Sequence, residues 1–351
     1  MENIKAQQPN FLQFFPLTFF AVVSSLSSLA YAWSYFGNGV KFIISLTAVV
    51  LFILFCIIYL WKWIKYPDLV KQDYNDPVGV NLFAIFFTAF LLVTGLIHPY
   101  TPKLAFFLWI IASIATFIFT YALFNRWISK QQSVLHALPG WTIPIFCLLD
   151  IPLTGWSYGG AVVHEIGVFF FVTGILFTFL VFILVFQRLM FQEGLATALQ
   201  PTLLLLSGPF ALLYANYQQI TGKQDLTANF FFYSSIFLLL LLGRKLVFSL
   251  IKVQFTITWW ATSFPLAAIT AASFRFASNS DLPGARIVLF ALLGVSSLVF
   301  LMLCFQTLHY IVSHFLIKQY PKPRKRLSLS DYKASVMPAE MTRGTHLMKK
   351  I

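Results

Sequence analysis

The stretch Phe255 to Ala277, FTITWWATSFPLAAITAASFRFA, is apolar over a length that crosses a bilayer, and Pro265 follows Phe264 near its middle. A proline inside a helix removes a backbone donor and crowds the preceding turn, so nearby carbonyls need other partners. In hydrocarbon such a defect survives only within protein or beside a water-filled path. Steps of three and four residues place Ile257, Ala261, Phe264, Ala268, Ala271 and Arg275 on one face. That face predicts the lining of a narrow hole, with one large ring among small residues and a cation roughly 16 Å further along the axis. A ring in the hole and Arg275 at its outer mouth point to an anion path. The residue type alone does not single out Phe264, because the chain has 41 phenylalanines and most must face lipid or pack between helices.

Composition sets the class. With 59% hydrophobic and 10% charged residues and a mean hydropathy of +0.81, the chain is far more apolar than a soluble core requires. It reads as an all-α polytopic membrane protein. The start, MENIKAQQPN, lacks the features of a cleaved signal peptide, so the first apolar run is expected to remain as a span. Cys56, Cys147 and Cys304 lie in apolar runs without CxxC or metal spacing, so neither a disulfide framework nor a metal site is expected, and no cofactor.

Ten apolar segments of spanning length run over about 15–36, 40–63, 78–97, 103–126, 139–157, 161–187, 200–220, 227–250, 255–276 and 285–316. Placing both termini and the even-numbered loops in the cytoplasm puts 19 of the 24 Lys and Arg there, against Lys41, Lys103, Lys223, Arg275 and Arg286. The expected location is therefore the cell (inner) membrane, multi-pass, with both termini cytoplasmic. Residues 1–14 form the N-terminus, 15–316 the transmembrane domain and 317–351 a basic, disordered tail. That tail is topogenic and drawn to anionic lipid rather than to nucleic acid, with Ser328 and Ser330 as candidate regulatory sites.

Pro16, Pro77, Pro139 and Pro201 stand near the starts of the first four odd spans and Phe255 opens the ninth, at intervals of 61, 62, 62 and 54 residues. Such a period signals a repeated helical hairpin used five times, and five like hairpins suggest a ring. The odd members carry Pro144, Pro152, Pro209 and Pro265 with Ser, Thr, Gly and Ala, whereas the even ones are mostly Leu, Ile, Val and Phe. Odd helices are thus expected inside, kinked around a pore, and even ones against lipid. Ser25, Thr88 and Ser207, with Ala261, Ala268 and Ala271, are the expected small and polar lining. Each hydroxyl has an ordinary alternative, a bond to its own i−4 carbonyl.

Asp150 stands in the fifth span, where an ionised carboxylate is costly and repels an anion. Three readings stay open: a proton site coupling transport to pH, a partner for Arg275, or an acid hydrogen-bonded between helices near the interface. No Ser-His-Asp set, HExxH or P-loop supports an enzyme.

Four stretches resemble one family, comprising plant slow-type anion channels, the bacterial tellurite-resistance protein TehA and fungal malic-acid transporters. They are WWATSFPLAA (Trp259 to Ala268), FPLTFFAVVSSLSSLAYAW (Phe15 to Trp33), VHEIGVFFFVTG (Val163 to Gly174) and LQPTLLLLSGPFALLYANY (Leu199 to Tyr217). The resemblance implies ten helices as five hairpins around a central pore, a homotrimer, and Phe264 as the ring across that pore. It departs from the family at Val23 and Ser25, at AIFFTAF (Ala84 to Phe90), and at Cys147 and Leu148. His164 and Glu165 match family positions and are expected to pin a loop.

The function this implies is a passive, weakly selective channel for nitrate- and chloride-type anions, occluded by Phe264. The alternative is a secondary transporter or exporter of dicarboxylate, sulfite or tellurite-like oxyanions, with Asp150 as coupling acid. Expected partners are small inorganic or carboxylate anions, membrane lipid and two further copies of the chain.

Overall fold

The computed structural model describes residues 11–252, 255–280 and 282–313, all of it helix and connection. The tail from Lys318, with Ser328 and Ser330, lies outside these residues. Ten helices carry the fold: α1 (Phe20–Trp33), α2 (Asn38–Lys65), α3 (Phe83–Ile97), α4 (Pro102–Ser129), α5 (Ile143–Gly155), α6 (Ala161–Phe191), α7 (Gly208–Thr221), α8 (Leu226–Lys252), α9 (Trp260–Asn279) and α10 (Pro283–Ile311). One compact unit runs to Gln306, and of the second, from Thr307, only the stretch to Ser313 is described.

Helix α1 packs on α3, α3 on α5, α5 on α7, α7 on α9, and α9 returns to α1, so the odd helices close a five-membered ring. Each of α2, α4, α6 and α8 packs on the odd helices before and after it in sequence. Helix α10 covers the seam between α9 and α1, through Leu293 packed with Leu29, Ala32 and Ala267 and through Ser296 bonded to Thr270 at 3.1 Å. Burial separates the layers. The first odd segment is 83% buried, whereas its partner α2 is 11% buried and turns Ile43, Leu46, Ile53 and Ile57 outward.

The ten helices differ in apolar character as well as in burial. Among the described residues eight helices are long and apolar enough to cross a membrane, and the segments holding α5 and α9 are not among them. Both are interior members of the ring: every residue of α5 except Leu153 is buried, as are 14 of the 20 in α9. A helix surrounded by protein does not need a lipid-compatible surface, so α5 can be short and carry Asp150, and α9 can be rich in Ser, Thr and Ala.

Every odd helix is entered through a 3-10 turn: Leu17–Phe19, Gly79–Leu82, Pro139–Thr142, Thr197–Leu206 and Ile257–Trp259. The first four of these turns stand where the repeated prolines fall, because proline fixes φ and lacks the N–H that a regular first α-turn leaves unused. Side chains take up the carbonyls left over. Asn81 Nδ2 donates to Pro77 O (3.1 Å), Thr142 Oγ1 to Pro139 O (2.7 Å) and Thr202 Oγ1 to Leu199 O (2.6 Å). At the far end α7 stops at Gly222, whose φ of +63° is the left-handed cap conformation. Asp225 then caps α8: Oδ1 accepts from Thr227 N and Ala228 N, both at 3.1 Å, and Oδ2 accepts from the Tyr217 hydroxyl at 2.6 Å.

Close helix approach rests on glycine. A Cβ at Gly155 would stand 2.6 Å from the Trp109 ring, and that ring is held in place by Trp109 Nε1 donating to Ile151 O at 3.0 Å. Gly155→Val is therefore expected to cost about 1–3 kcal/mol by overpacking, read as a lower Tm of the purified protein in detergent. The Tyr217 hydroxyl and the α8 N–H groups hold the Asp225 carboxyl below the usual carboxylate range. This contact stabilises the fold above the unfolded-chain pKa and is lost as pH falls through the lowered folded value. A Tm measured against pH should lose this acid limb in Asp225→Asn.

Candidate functional site

The ring encloses two cavities, one at each end. The first, about 180 Å³, opens where the odd helices begin and is lined by residues that include Ser24, Thr88, Phe146, Ala261 and Phe264. The second, about 190 Å³, lies where they end and is lined by residues that include Tyr31, Lys41, Thr154, Gln219 and Arg275. We call them proximal and distal. All five odd segments contribute to both, and each leaves a gap in the same register. The last proximal and first distal lining residues are Ser24 and Ser28 on α1, Thr88 and Leu92 on α3, Phe146 and Leu153 on α5, Leu205 and Leu212 along α7 and its entrance turn, and Phe264 and Ala268 on α9. At 1.5 Å per residue the closed layer is about 6 Å thick along α1, α3 and α9, and about 10 Å along α5 and α7.

Two aromatic rings form the proximal face of this layer. Phe264 packs edge-on against Phe146, centroids 5.1 Å apart at 87°, the favoured geometry for such a pair. Phe146 in turn fills the space over Gly208, where a Cβ would stand 2.5 Å from its ring and 3.3 Å from Pro265 Cβ. A glycine at 208 is thus what lets the ring lie inward. Beside the rings Ser25 and Ser263 share a hydrogen bond of 2.7 Å that ties α1 to α9.

Asp150 sits inside the layer. It is fully buried, follows Phe146 and precedes Thr154 by four residues each, and so lies on the α5 stripe that joins the two cavities. Neither carboxyl oxygen has a hydrogen-bond partner. Thr88 of α3 is the polar group turned toward it, without closing a bond. The reading that pairs Asp150 with Arg275 is corrected by this geometry. With the Gln219 amide oriented by its partners, Arg275 Nη1 and Nη2 donate to Gln219 Oε1 at 3.2 and 2.6 Å, and Gln219 Nε2 donates to Leu153 O at 3.0 Å.

The structure brings Phe264, Thr88, Ala261, Ala268, Ala271 and Arg275 to the cavities. It does not bring Ser25, Ser207 or the four prolines to a cavity lining, which corrects that part of the expectation. Ser25 bonds Ala21 O (2.6 Å) besides Ser263, and Ser207 bonds Leu204 O (2.7 Å), the local use open to any such hydroxyl in a membrane helix. Pro144 and Pro209 stand in the first turns of α5 and α7, where proline costs nothing, and only Pro152 and Pro265 lie inside helices. His164 and Glu165 face each other at 3.7 Å on the surface beside Trp156, apart from both cavities. Phe146 and Gln219 were not anticipated. Phe146 carried no signal of its own in the sequence, being one of 41 phenylalanines.

Residues 14–308 match the model of the SLAC1 family, described as voltage-dependent anion channel. The S-type anion channel SLAH3 of Arabidopsis thaliana is 24% identical over 307 residues, covering 82% of this chain and 47% of the relative. The guard cell S-type anion channel SLAC1 of the same plant is 23% identical over 295 residues, 78% of this chain and 51% of the relative. The chain therefore spans about half the length of these plant relatives. The tellurite resistance protein TehA homolog of Haemophilus influenzae is 24% identical over 310 residues, 83% of this chain and 90% of the relative. With nearly the whole ring inside the matched region, the chain belongs to the SLAC1 family of anion channels.

Proposed function

We propose that this chain is a passive, weakly selective channel for small monovalent anions of the nitrate and chloride type, closed by the Phe264 ring. The observation that carries the reading is the pair of cavities on one five-helix ring, separated by a layer whose proximal face is Phe264 against Phe146. The channel lies in the cell membrane with both termini cytoplasmic, so the proximal cavity faces the cytoplasm, and three copies assemble through their outer helices. No chemistry and no cofactor enter the transport step. No Lys or Arg lies in the closed layer, so an anion crossing it sheds water without a fixed cation to replace it, against hydroxyls, backbone dipoles and the Asp150 carboxyl. Weakly hydrated anions then pass most readily, nitrate ahead of chloride.

A second reading rests on Asp150. An unpartnered acid on the stripe between the cavities is the feature expected of a carrier that moves a proton with its anion, for dicarboxylate or sulfite-like substrates. Reversal potentials of the purified protein in planar bilayers separate the two. A potential set by the anion gradient alone, with nitrate more permeant than chloride, supports the channel, whereas a shift under a superimposed pH gradient supports the carrier.

Phe264→Ala is expected to raise anion current roughly ten-fold or more. An unchanged current from folded Phe264→Ala protein removes the gate assignment. Thiol labelling tests the closed layer: with the native cysteines replaced, Thr258→Cys and Ser157→Cys should react with a charged thiol reagent from opposite faces only.

A further inference from the structure

The two cavities differ in charge. Among their lining residues the proximal one has hydroxyls but no cation, whereas the distal one has Arg275 and Lys41. Lys41 Nζ lies 5.1 Å from the centre of the Tyr31 ring, which gives it a fixed seat on the distal wall. Arg275 is seated more firmly. Gln219 Oε1 occupies the cleft between Nη1 and Nη2, and the Gln219 amide is itself anchored on Leu153 O. This uses one hydrogen on each Nη. The Nε–H and the second hydrogen of each Nη are left, so the guanidinium still has a planar edge with two parallel donors. One turn back on the same face of α9, Ala271 and Ala272 line the cavity, and Ala268 lies a turn further, so no large side chain of that face fills the space below the guanidinium. Ser28 on α1 and Thr154 on α5 also line the cavity.

We propose that the distal cavity is a binding site for a small planar oxyanion, of the nitrate or carboxylate class, held on the free edge of Arg275 with Lys41 as second charge. A planar fork matches two oxygens of such an anion and offers no second contact to a spherical halide. The site rests on the channel reading only for its place on the path, since it loads oxyanions beside the closed layer from the distal face. Dehydration across the layer favours weakly hydrated ions of any shape, whereas Arg275 selects by geometry before the layer is reached.

The test is binding to the purified full chain at constant ionic strength, read as anion-dependent thermal stabilisation with nitrate, acetate and chloride as the probes. Nitrate and acetate are expected to stabilise the wild type over Arg275→Gln, and chloride much less. Arg275→Lys keeps the charge but loses the fork, so its apparent affinity for nitrate should fall at least ~10-fold and its preference over chloride should vanish. Ala271→Leu, which fills the space below the guanidinium and leaves the Arg275–Gln219 pair in place, should also abolish the response. Equal responses of wild type and Arg275→Gln, or equal affinity for nitrate and chloride in the wild type, overturn the site; should Arg275→Gln fail to fold, an unaltered response in Ala271→Leu does so. Binding needs no conduction: a protein that binds nitrate but passes no current refutes the channel and leaves the site standing.

Discussion

In hydrocarbon every backbone N–H and C=O must find a partner within the protein, and this constraint governs how the ring is built. Helices satisfy it along their length but not where a chain must bend inward around a hollow. The 3-10 entrance turns solve the local problem with proline, which has no N–H to satisfy, and with Asn81, Thr142 and Thr202, whose side chains bond the carbonyls that result. Ser24, Ser25 and Ser27 bond carbonyls four residues back in the same way, so most hydroxyls of the inner helices serve the backbone first. Some of them, Ser24 and Thr154 among them, also face a cavity, whereas Thr88 faces one without a backbone bond.

Once five helices are held in a ring, whether the centre is open depends on single side chains. Small residues at Gly208, Ala261 and Ala268 leave room, and two rings fill it. The Phe264 ring rests edge-on against Phe146, and Phe146 rests over Gly208. A close-packed layer of this kind has discrete arrangements rather than a continuous range, since a displaced ring leaves a void or a clash. Asp150 lies within it without a hydrogen-bond partner, in a place where an apolar residue would pack at less cost. Among the described residues no ion pair offsets that cost, so the carboxyl is set apart from the structural staples elsewhere in the chain. Lys62, for contrast, is equally buried but donates to Phe15 O at 2.8 Å and lies 3.8 Å from Asp73.

The repeat was legible in the sequence because it is written in residues with strong backbone preferences. Prolines about 62 residues apart, alternating with runs of Leu, Ile and Phe, mark inner and outer helices without reference to what touches what. The place of Phe264 was also legible, through the WWATSFPLAA segment and the alanines three and four residues away on its face. Hydropathy marks α5 and α9 less strongly than the other eight helices, although both line the cavities together with the other odd helices.

What the sequence determined, then, was the class of the protein, the hairpin period and the face of α9 that looks inward, since all three follow from local composition and helical spacing. What only the tertiary structure decided was the partner of each side chain. Ser25 and Ser207 were chemically suited to line a pore, but neighbouring carbonyls and Ser263 took their hydroxyls. Arg275 and Asp150 are not paired: Gln219 from α7 reaches the arginine, and Thr88 from α3 is the polar group turned toward the acid. The local bonds to carbonyls were open from the sequence, but the Ser25–Ser263 and Gln219–Arg275 pairs join segments 238 and 56 residues apart and are set by how the ring closes.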